Sequence, residues 1–75
     1  MDIRIGVQYS PKEIEVILPD DTDADSVRKH VEKAIESSGT LWFTDRRGRQ
    51  YGIPAEKLSY IEIGSSEGNR RIGFG

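Results

Sequence analysis

The sequence predicts one α+β domain spanning residues 1–75, with its elements in the order β-β-α-β-β-β. We expect one mainly antiparallel sheet with a single amphipathic helix packed on one face. Two short segments near the start alternate apolar and polar residues, and residues 24–35 repeat apolar residues with helical period. Residues 41–63 alternate again between turn signals, which predicts further strands.

The first two strands are predicted at Asp2–Gln8 and Glu13–Leu18, where one side of each segment is apolar. The connection Tyr9–Lys12 contains a proline and has the composition of a turn, so we expect an antiparallel hairpin. Gly6 interrupts the first strand. A glycine at such a position indicates a bulge or a close approach of another group to the backbone.

A helix is predicted over Asp23–Ser37, because its apolar residues share one stripe and its charged residues cover the rest. Thr22 or Asp23 is the expected N-cap, and Gly39 is expected to end the helix as its C-cap. The apolar stripe consists of Ala24, Val27, Val31, Ala34 and Ile35.

Aspartates crowd the start of this helix, at positions 20, 21, 23 and 25. Carboxylates beside the positive end of a helix stabilise it by roughly 0.3–1 kcal/mol each. The alternative is calcium, because Asp21, Asp23 and Asp25 have the spacing of an EF-hand loop and Glu32 falls at its twelfth position. Ser26 replaces the glycine that such a loop needs, so we favour the structural interpretation.

The second half of the chain is expected to supply most of the sheet. A strand beginning at Leu41 leads into the turn Asp45–Gly48, where the aspartate bonds to nearby backbone and the glycine accepts a positive φ. Pro54 ends the returning strand, since proline cannot donate to a ladder, and Ala55–Lys57 is expected to form one helical turn. The strands predicted after the turn are Arg49–Ile53, Leu58–Ile63 and Arg70–Phe74, with a polar loop at Gly64–Asn69.

The predicted core collects the apolar side of every element. Trp42 is expected to be its largest contributor, because so short a chain has few other large side chains. The other expected core residues are Ile3, Ile5, Val7, Ile14, Val16, Leu18, Val27, Val31, Ile35, Leu41, Phe43, Ile61 and Ile63.

Composition excludes several classes of function. The chain has no cysteine, which excludes disulfides, thiol catalysis and cysteine-ligated metals and is typical of a cytoplasmic protein. No apolar run approaches the roughly 20 residues of a membrane span, and the N-terminus lacks the pattern of a signal peptide. We therefore expect a cytoplasmic protein that does not bind membranes.

Catalytic signals are absent from the sequence. His30 is the only histidine, and its neighbours one helical turn away include no carboxylate and no second metal ligand. No triad or G-x-S-x-G sequence occurs. We predict a non-enzymatic protein and assign no catalytic, cofactor-binding or metal-binding residues.

Basic residues mark the candidate binding surface. Residues 1–38 hold nine acids and five bases, for a net charge of −4, whereas residues 39–75 hold four acids and six bases, for +2. An anionic partner would therefore meet the second half of the chain. The candidate partner-binding residues are Arg46, Arg47, Arg49, Arg70, Arg71, Trp42 and Tyr51.

Two kinds of partner fit these residues. A protein partner, or a second copy of the chain, is favoured over nucleic acid, because charge at turn tips and sheet edges commonly serves solubility and protection from aggregation. The terminal strand Arg70–Phe74 is a natural edge that could form a homodimer across a two-fold axis. The alternative is weak binding of single-stranded RNA or DNA by arginines and stacked aromatics, which the sequence pI of about 5.3 disfavours.

The chain resembles a small actinobacterial family of domains of unknown function over essentially its whole length. Three sequence patterns carry much of this resemblance. They are TD-x-x-GR at Thr44–Arg49, IPA-x-KL-x-YIEIG at Ile53–Gly64, and the terminal GFG at residues 73–75. The resemblance implies a compact cytoplasmic protein, and an ATP-binding label attached to the family makes nucleotide binding a third possibility. The glycine-rich end of the chain is not a Walker A sequence, so no nucleotide-binding residues are carried over.

Overall fold

A computed structural model of the chain describes residues 1–65 and 68–73, with the backbone alone described for residues 65 and 68–73. It confirms the α+β class and the element order. The strands are β1 (Asp2–Val7), β2 (Glu13–Ile17), β3 (Thr40–Thr44), β4 (Gln50–Pro54), β5 (Leu58–Ser65) and β6 (Gly68–Gly73). The helix α1 covers Ala24–Ser37, and Ala55–Lys57 form a 3₁₀ turn where one helical turn was expected.

The strands divide into two antiparallel sheets, where the sequence suggested one. Four strands lie side by side in the order β2-β1-β5-β6, and β3 pairs with β4 as a separate hairpin. Pro54 accounts for the division, because its nitrogen cannot donate and the 3₁₀ turn after it redirects the chain. At the tip of the hairpin, the Arg46 N–H donates to the Ile17 carbonyl over 2.9 Å and so joins the two sheets.

A bulge between β1 and β5 sets which residues of β5 reach the core. Gly6 is opposite Tyr60, but the next pair is Val7 with Leu58, so Ser59 is the extra residue. The bulge turns Leu58 inward, although alternation along β5 had placed it on the other face from Ile61. Gly6 was predicted to mark a bulge or close approach, and it marks both.

The Tyr60 ring lies directly over the backbone of Gly6. A Cβ atom at position 6 would stand 2.1 Å from Cε2 of Tyr60, far inside contact distance. The Tyr60 hydroxyl donates to the Glu13 carboxylate on β2, so the ring spans β1 and is held at its far end.

The core is close to the one predicted. Most of the expected residues are buried, while Val7, Ile14 and Ile35 are partly buried and pack against the others. Ile53 and Leu58 are buried core residues that the sequence did not single out. The buried members of the predicted set are Ile3, Ile5, Val16, Leu18, Val27, Val31, Leu41, Phe43, Ile61 and Ile63.

The prediction for Trp42 is wrong, because this side chain is 57% exposed. Leu41 and Phe43 take the inward positions of β3, so the alternation of a strand leaves Trp42 on the outer face. There its ring covers Gly52, the residue opposite on β4, whose added Cβ would lie 2.7 Å from Cζ3 of Trp42.

Both ends of α1 are defined. Asp23 is the N-cap residue, although its side chain makes no capping hydrogen bond. The expected C-cap role of Gly39 belongs instead to Ser38, which has the left-handed φ of 55°. The Gly39 N–H donates to the Ala34 carbonyl and the Ser38 N–H to that of Ile35, the paired bonds of a Schellman motif. Ser38, and not a glycine, therefore takes the left-handed conformation at the end of α1.

His30 fastens the helix to the hairpin. Its Nε2 donates to the Trp42 carbonyl oxygen over 2.7 Å, and its ring meets Phe43 edge-on with centroids 5.5 Å apart. Because α1 begins at Ala24, the segment from Asp25 to Glu32 is helical and does not form an EF-hand loop. Within the described part of the chain, no helix is long and apolar enough to cross a membrane.

The ladder between β5 and β6 extends into the segment predicted as a loop. Gly64 is opposite Asn69 and Ser65 is opposite Gly68, so strand pairing outcompetes the polar composition there. β6 lies at one edge of the four-stranded sheet, as expected of a terminal strand. Phe74, the predicted last residue of that strand, lies outside the described residues.

Alanine substitution is expected to affect stability differently at Gly6 and at Gly52, the two glycines that lie under aromatic rings. We expect Gly6→Ala to lower the free energy of unfolding by about 1–3 kcal/mol, because the Tyr60 ring is held by Glu13 and cannot easily move away. We expect Gly52→Ala to stay within about 0.5 kcal/mol of the wild type, because the exposed Trp42 ring can swing into solvent. Urea denaturation of both variants measures the difference, and equal costs would contradict the proposed constraint at Gly6.

Candidate functional site

The tip of the β3–β4 hairpin is a tightly bonded turn. The Gly48 N–H donates to the Asp45 carbonyl over 3.0 Å, and the Asp45 N–H donates to the Arg49 carbonyl over 2.8 Å. Gly48 has a φ of 89°, a conformation that glycine adopts without strain. These features match a three-residue hairpin loop with a glycine bulge, and they confirm the predicted chain reversal.

The Asp45 side chain holds this turn together from inside. Its Oδ1 accepts hydrogen bonds from the backbone N–H groups of Arg47 (2.9 Å) and Arg49 (2.8 Å). Its Oδ2 accepts one from the Tyr51 hydroxyl over 3.4 Å. Desolvation raises the pKa of the Asp45 carboxyl, but these hydrogen bonds and the charge of Arg49 outweigh it, so the pKa lies below its ordinary value.

A groove opens between this tip and β2. It encloses about 320 Å³ and runs along the outer side of β2. Ile17 contributes an apolar side chain that is 42% exposed. The residues lining the groove are Glu15, Ile17, Asp45, Arg46, Arg47, Arg49 and Tyr51.

The groove is electropositive although it contains two carboxylates. Asp45 is engaged by the turn, and Glu15 lies 3.6 Å from the guanidinium of Arg4. Arg46, Arg47 and Arg49 are exposed, and no ion pair joins them to any side chain that the structure describes. Three guanidinium groups are therefore available to an anionic ligand.

The structure assembles only part of the predicted binding set. Arg46, Arg47, Arg49 and Tyr51 line one groove. Arg70 and Arg71 lie on β6, at the other edge of the four-stranded sheet, with β1 and β5 between them and β2. The strand order therefore separates the backbone of these two arginines from β2 and from the hairpin tip that docks on it.

The two candidate aromatics lie on opposite faces of the hairpin. Tyr51 is opposite Phe43 on the inner face and packs against the core, whereas Trp42 is on the outer face over Gly52. Tyr51 is half-buried and its hydroxyl is bonded to Asp45. The arginines consequently have no exposed aromatic platform beside them in the described part of the chain.

Sequence analysis missed the contribution of β2 to this groove. Ile17 follows Glu13 and Glu15 in the outward row of β2, so an apolar residue stands at the end of a polar row. This apolar residue in an otherwise polar row was the sign in the sequence that β2 contributes to a binding surface. It could not be connected to the arginines, because the docking of the hairpin tip on β2 depends on tertiary structure.

The side chains that line the groove have the chemistry needed to bind an anionic group. Arginine guanidinium groups bind carboxylates and phosphates in two-pronged geometry, and Ile17 adds an apolar contact. Among the residues that the structure describes, no group of three side chains is placed to hold a metal ion.

The pH dependence of the free energy of unfolding, measured in the acid range, tests the role of Asp45. Because the pKa of Asp45 is lowered by folding, its ionised form stabilises the turn above its unfolded pKa, and this share is lost as pH falls through the lower folded pKa. We therefore expect the stability difference between wild type and Asp45→Asn to be constant at neutral pH and to shrink at strongly acid pH. Denaturation at a series of pH values measures it. A difference that grows on acidification would contradict the assigned direction.

Comparison with known proteins places the chain in one family. It belongs to the family described as "Protein of unknown function (DUF3107)", whose model matches residues 1–75. No curated protein sequence matches the chain. The resemblance seen in the sequence is thus confirmed at the level of a domain of unknown function, and nothing in the family description indicates an enzyme.

Proposed function

We propose that this member of the family is a non-enzymatic protein-interaction module, and that its groove between β2 and the hairpin tip binds an acidic segment of a cytoplasmic partner protein. The observation that carries the proposal is the convergence of Arg46, Arg47 and Arg49, unpaired among the described side chains, beside the exposed Ile17. The protein as a whole has a net charge of −2, so this positive surface stands out against its surroundings.

Charge and shape both favour an acidic protein segment. Arginine and tyrosine are enriched at protein interfaces, where arginine pairs with carboxylates and its stem packs on apolar atoms. The turn is rigid, because Asp45 bonds to it at two backbone positions, so little order has to be gained when a ligand binds. The groove is open along β2, which suits an extended chain better than an enclosed small molecule.

Single-stranded nucleic acid is the second candidate, and it rests on the same three arginines. Sequence-tolerant binding of this kind needs bases stacked on exposed aromatics next to the basic groups. Tyr51 is half-buried and Trp42 faces away from the groove, which weakens this candidate. ATP is third, because the glycine-rich end of the chain runs as strand β6 in residues 68–73 and precedes no helix there.

A charge reversal in the groove tests the first candidate against the second. The probe is a fluorescent peptide of alternating Thr and Val that ends in two Glu residues, and its partner probe carries two Lys residues instead. We expect Arg47→Glu to weaken binding of the acidic peptide about tenfold, equivalent to about 1.4 kcal/mol. Fluorescence anisotropy at low salt measures the affinity, since surface charge pairs are screened by added salt.

Lys29→Glu is the matched control, because it makes the same change in charge on α1 at a residue that does not line the groove. Equal losses in the two variants, or equal binding of the Lys peptide, would refute a specific site. A mixed short single-stranded RNA is titrated in parallel. Salt-sensitive RNA binding that Arg47→Glu abolishes, without peptide binding, would promote the nucleic-acid candidate.

Self-association is a separate part of the proposal. β6 is an edge strand, and a second copy could pair with it across a two-fold axis. We expect light scattering at high concentration to show a dimer that weakens on dilution. A strictly monomeric mass over the whole concentration range would remove this interaction, while leaving the groove unaffected.

A further inference from the structure

The outward edge of β2 can be identified from two backbone hydrogen bonds. The Leu18 N–H donates to the Met1 carbonyl, and so points toward β1. The Ile17 carbonyl accepts from the Arg46 N–H, and so points the other way. Backbone groups alternate along an antiparallel strand, so the N–H and C=O of Glu15 and the N–H of Ile17 also point away from β1.

This edge is open in the described part of the chain. β2 pairs with β1 on one side and with no strand on the other. No backbone hydrogen bond described for the chain uses the N–H or C=O of Glu15, or the N–H of Ile17, on the outward side. Such a row of polar groups is a template for an added strand.

The hairpin tip defines where an added strand would end. The outward carbonyl of Ile17 already accepts a hydrogen bond from the Arg46 N–H. A longer added strand would need this same carbonyl as its next hydrogen-bond acceptor. A segment paired with Glu15 would therefore stop against the tip. Its terminal side chains would then lie beside Arg46 and Arg47, which line the same groove.

Side chains along the edge restrict the ligand further. Glu15 is on the outer face and pairs with Arg4, and a second carboxylate directly opposite it would be repelled. Ile17 favours an apolar neighbour on the same face. The acidic residues of the ligand thus belong at the end that meets the arginines, and not along its length.

We propose, as a consequence of the proposed function, that the partner segment binds by strand addition: an extended stretch of the partner protein pairs its backbone with the open edge of β2 and presents acidic residues at its end to Arg46 and Arg47. Backbone hydrogen bonds supply the affinity in this mode, and side-chain positions supply the specificity. The Arg46 N–H makes one hydrogen bond to the outward edge of β2. The backbone of the partner segment would make the remaining ones.

Backbone methylation of the acidic peptide probe tests this mode. Methylated amides can neither donate nor approach a neighbouring strand, and only alternate residues of an added strand face β2. Two peptides are compared, one methylated at the odd positions and one at the even positions. We expect one of them to bind at least about tenfold more weakly than the unmodified peptide and the other to bind almost normally.

Glu15→Pro provides a second measurement on the protein side. Because the N–H of Glu15 points outward, proline there removes the donor needed by a ligand and leaves the β1 ladder intact. Glu15→Ala is the matched control for the lost carboxylate. We expect proline to weaken peptide binding at least about tenfold relative to alanine, and amide NMR spectra to show that both variants are folded.

The outcomes separate this inference from the function on which it rests. If neither methylation pattern weakens binding but Arg47→Glu still does, strand addition is overturned. The proposal that the groove binds an acidic segment is then retained. Failure of the unmodified acidic peptide to bind would overturn both. Equal weakening by the two methylation patterns would also exclude a strand, because it shows no alternation.

Discussion

The four-stranded sheet depends on the absence of a side chain at Gly6. The Tyr60 ring occupies the space where a Cβ would stand, and it reaches across β1 to Glu13 on β2. This contact ties three strands together at the bulge between β1 and β5. The bulge in turn brings Leu58 and Ile61 to the same core, although an unbroken alternation would send them to opposite faces.

Much of this arrangement follows from local sequence. Alternation in β1 and β2, the helical stripe of α1 and the chemistry of the Asp45–Gly48 turn are patterns that a few neighbouring residues determine. Trp42 shows where such reasoning fails. Its size favours burial, but its place between Leu41 and Phe43 puts it on the outer face, and strand geometry outweighs the preference of one side chain.

The candidate groove was only half predictable. Three arginines close together in sequence stay together at one turn, whereas Arg70 and Arg71 are carried to the far edge by the strand order β2-β1-β5-β6. Strand order is a property of long-range pairing that composition does not encode. Nor could the sequence show that the hairpin would leave the main sheet and dock its tip against Ile17.

The position of β1 also affects how the chain can fold. Its neighbours are β2, close by in sequence, and β5, with Ile3 opposite Ile63 and Ile5 opposite Ile61. The edge of β1 that faces β5 therefore stays unpaired until residues some sixty positions later arrive. Closing so long a loop is slow compared with local pairing. On the ribosome, the first hairpin would thus wait for nearly all of the described chain, and during that interval the unpaired edge of β1 would be open to chaperones and to aggregation.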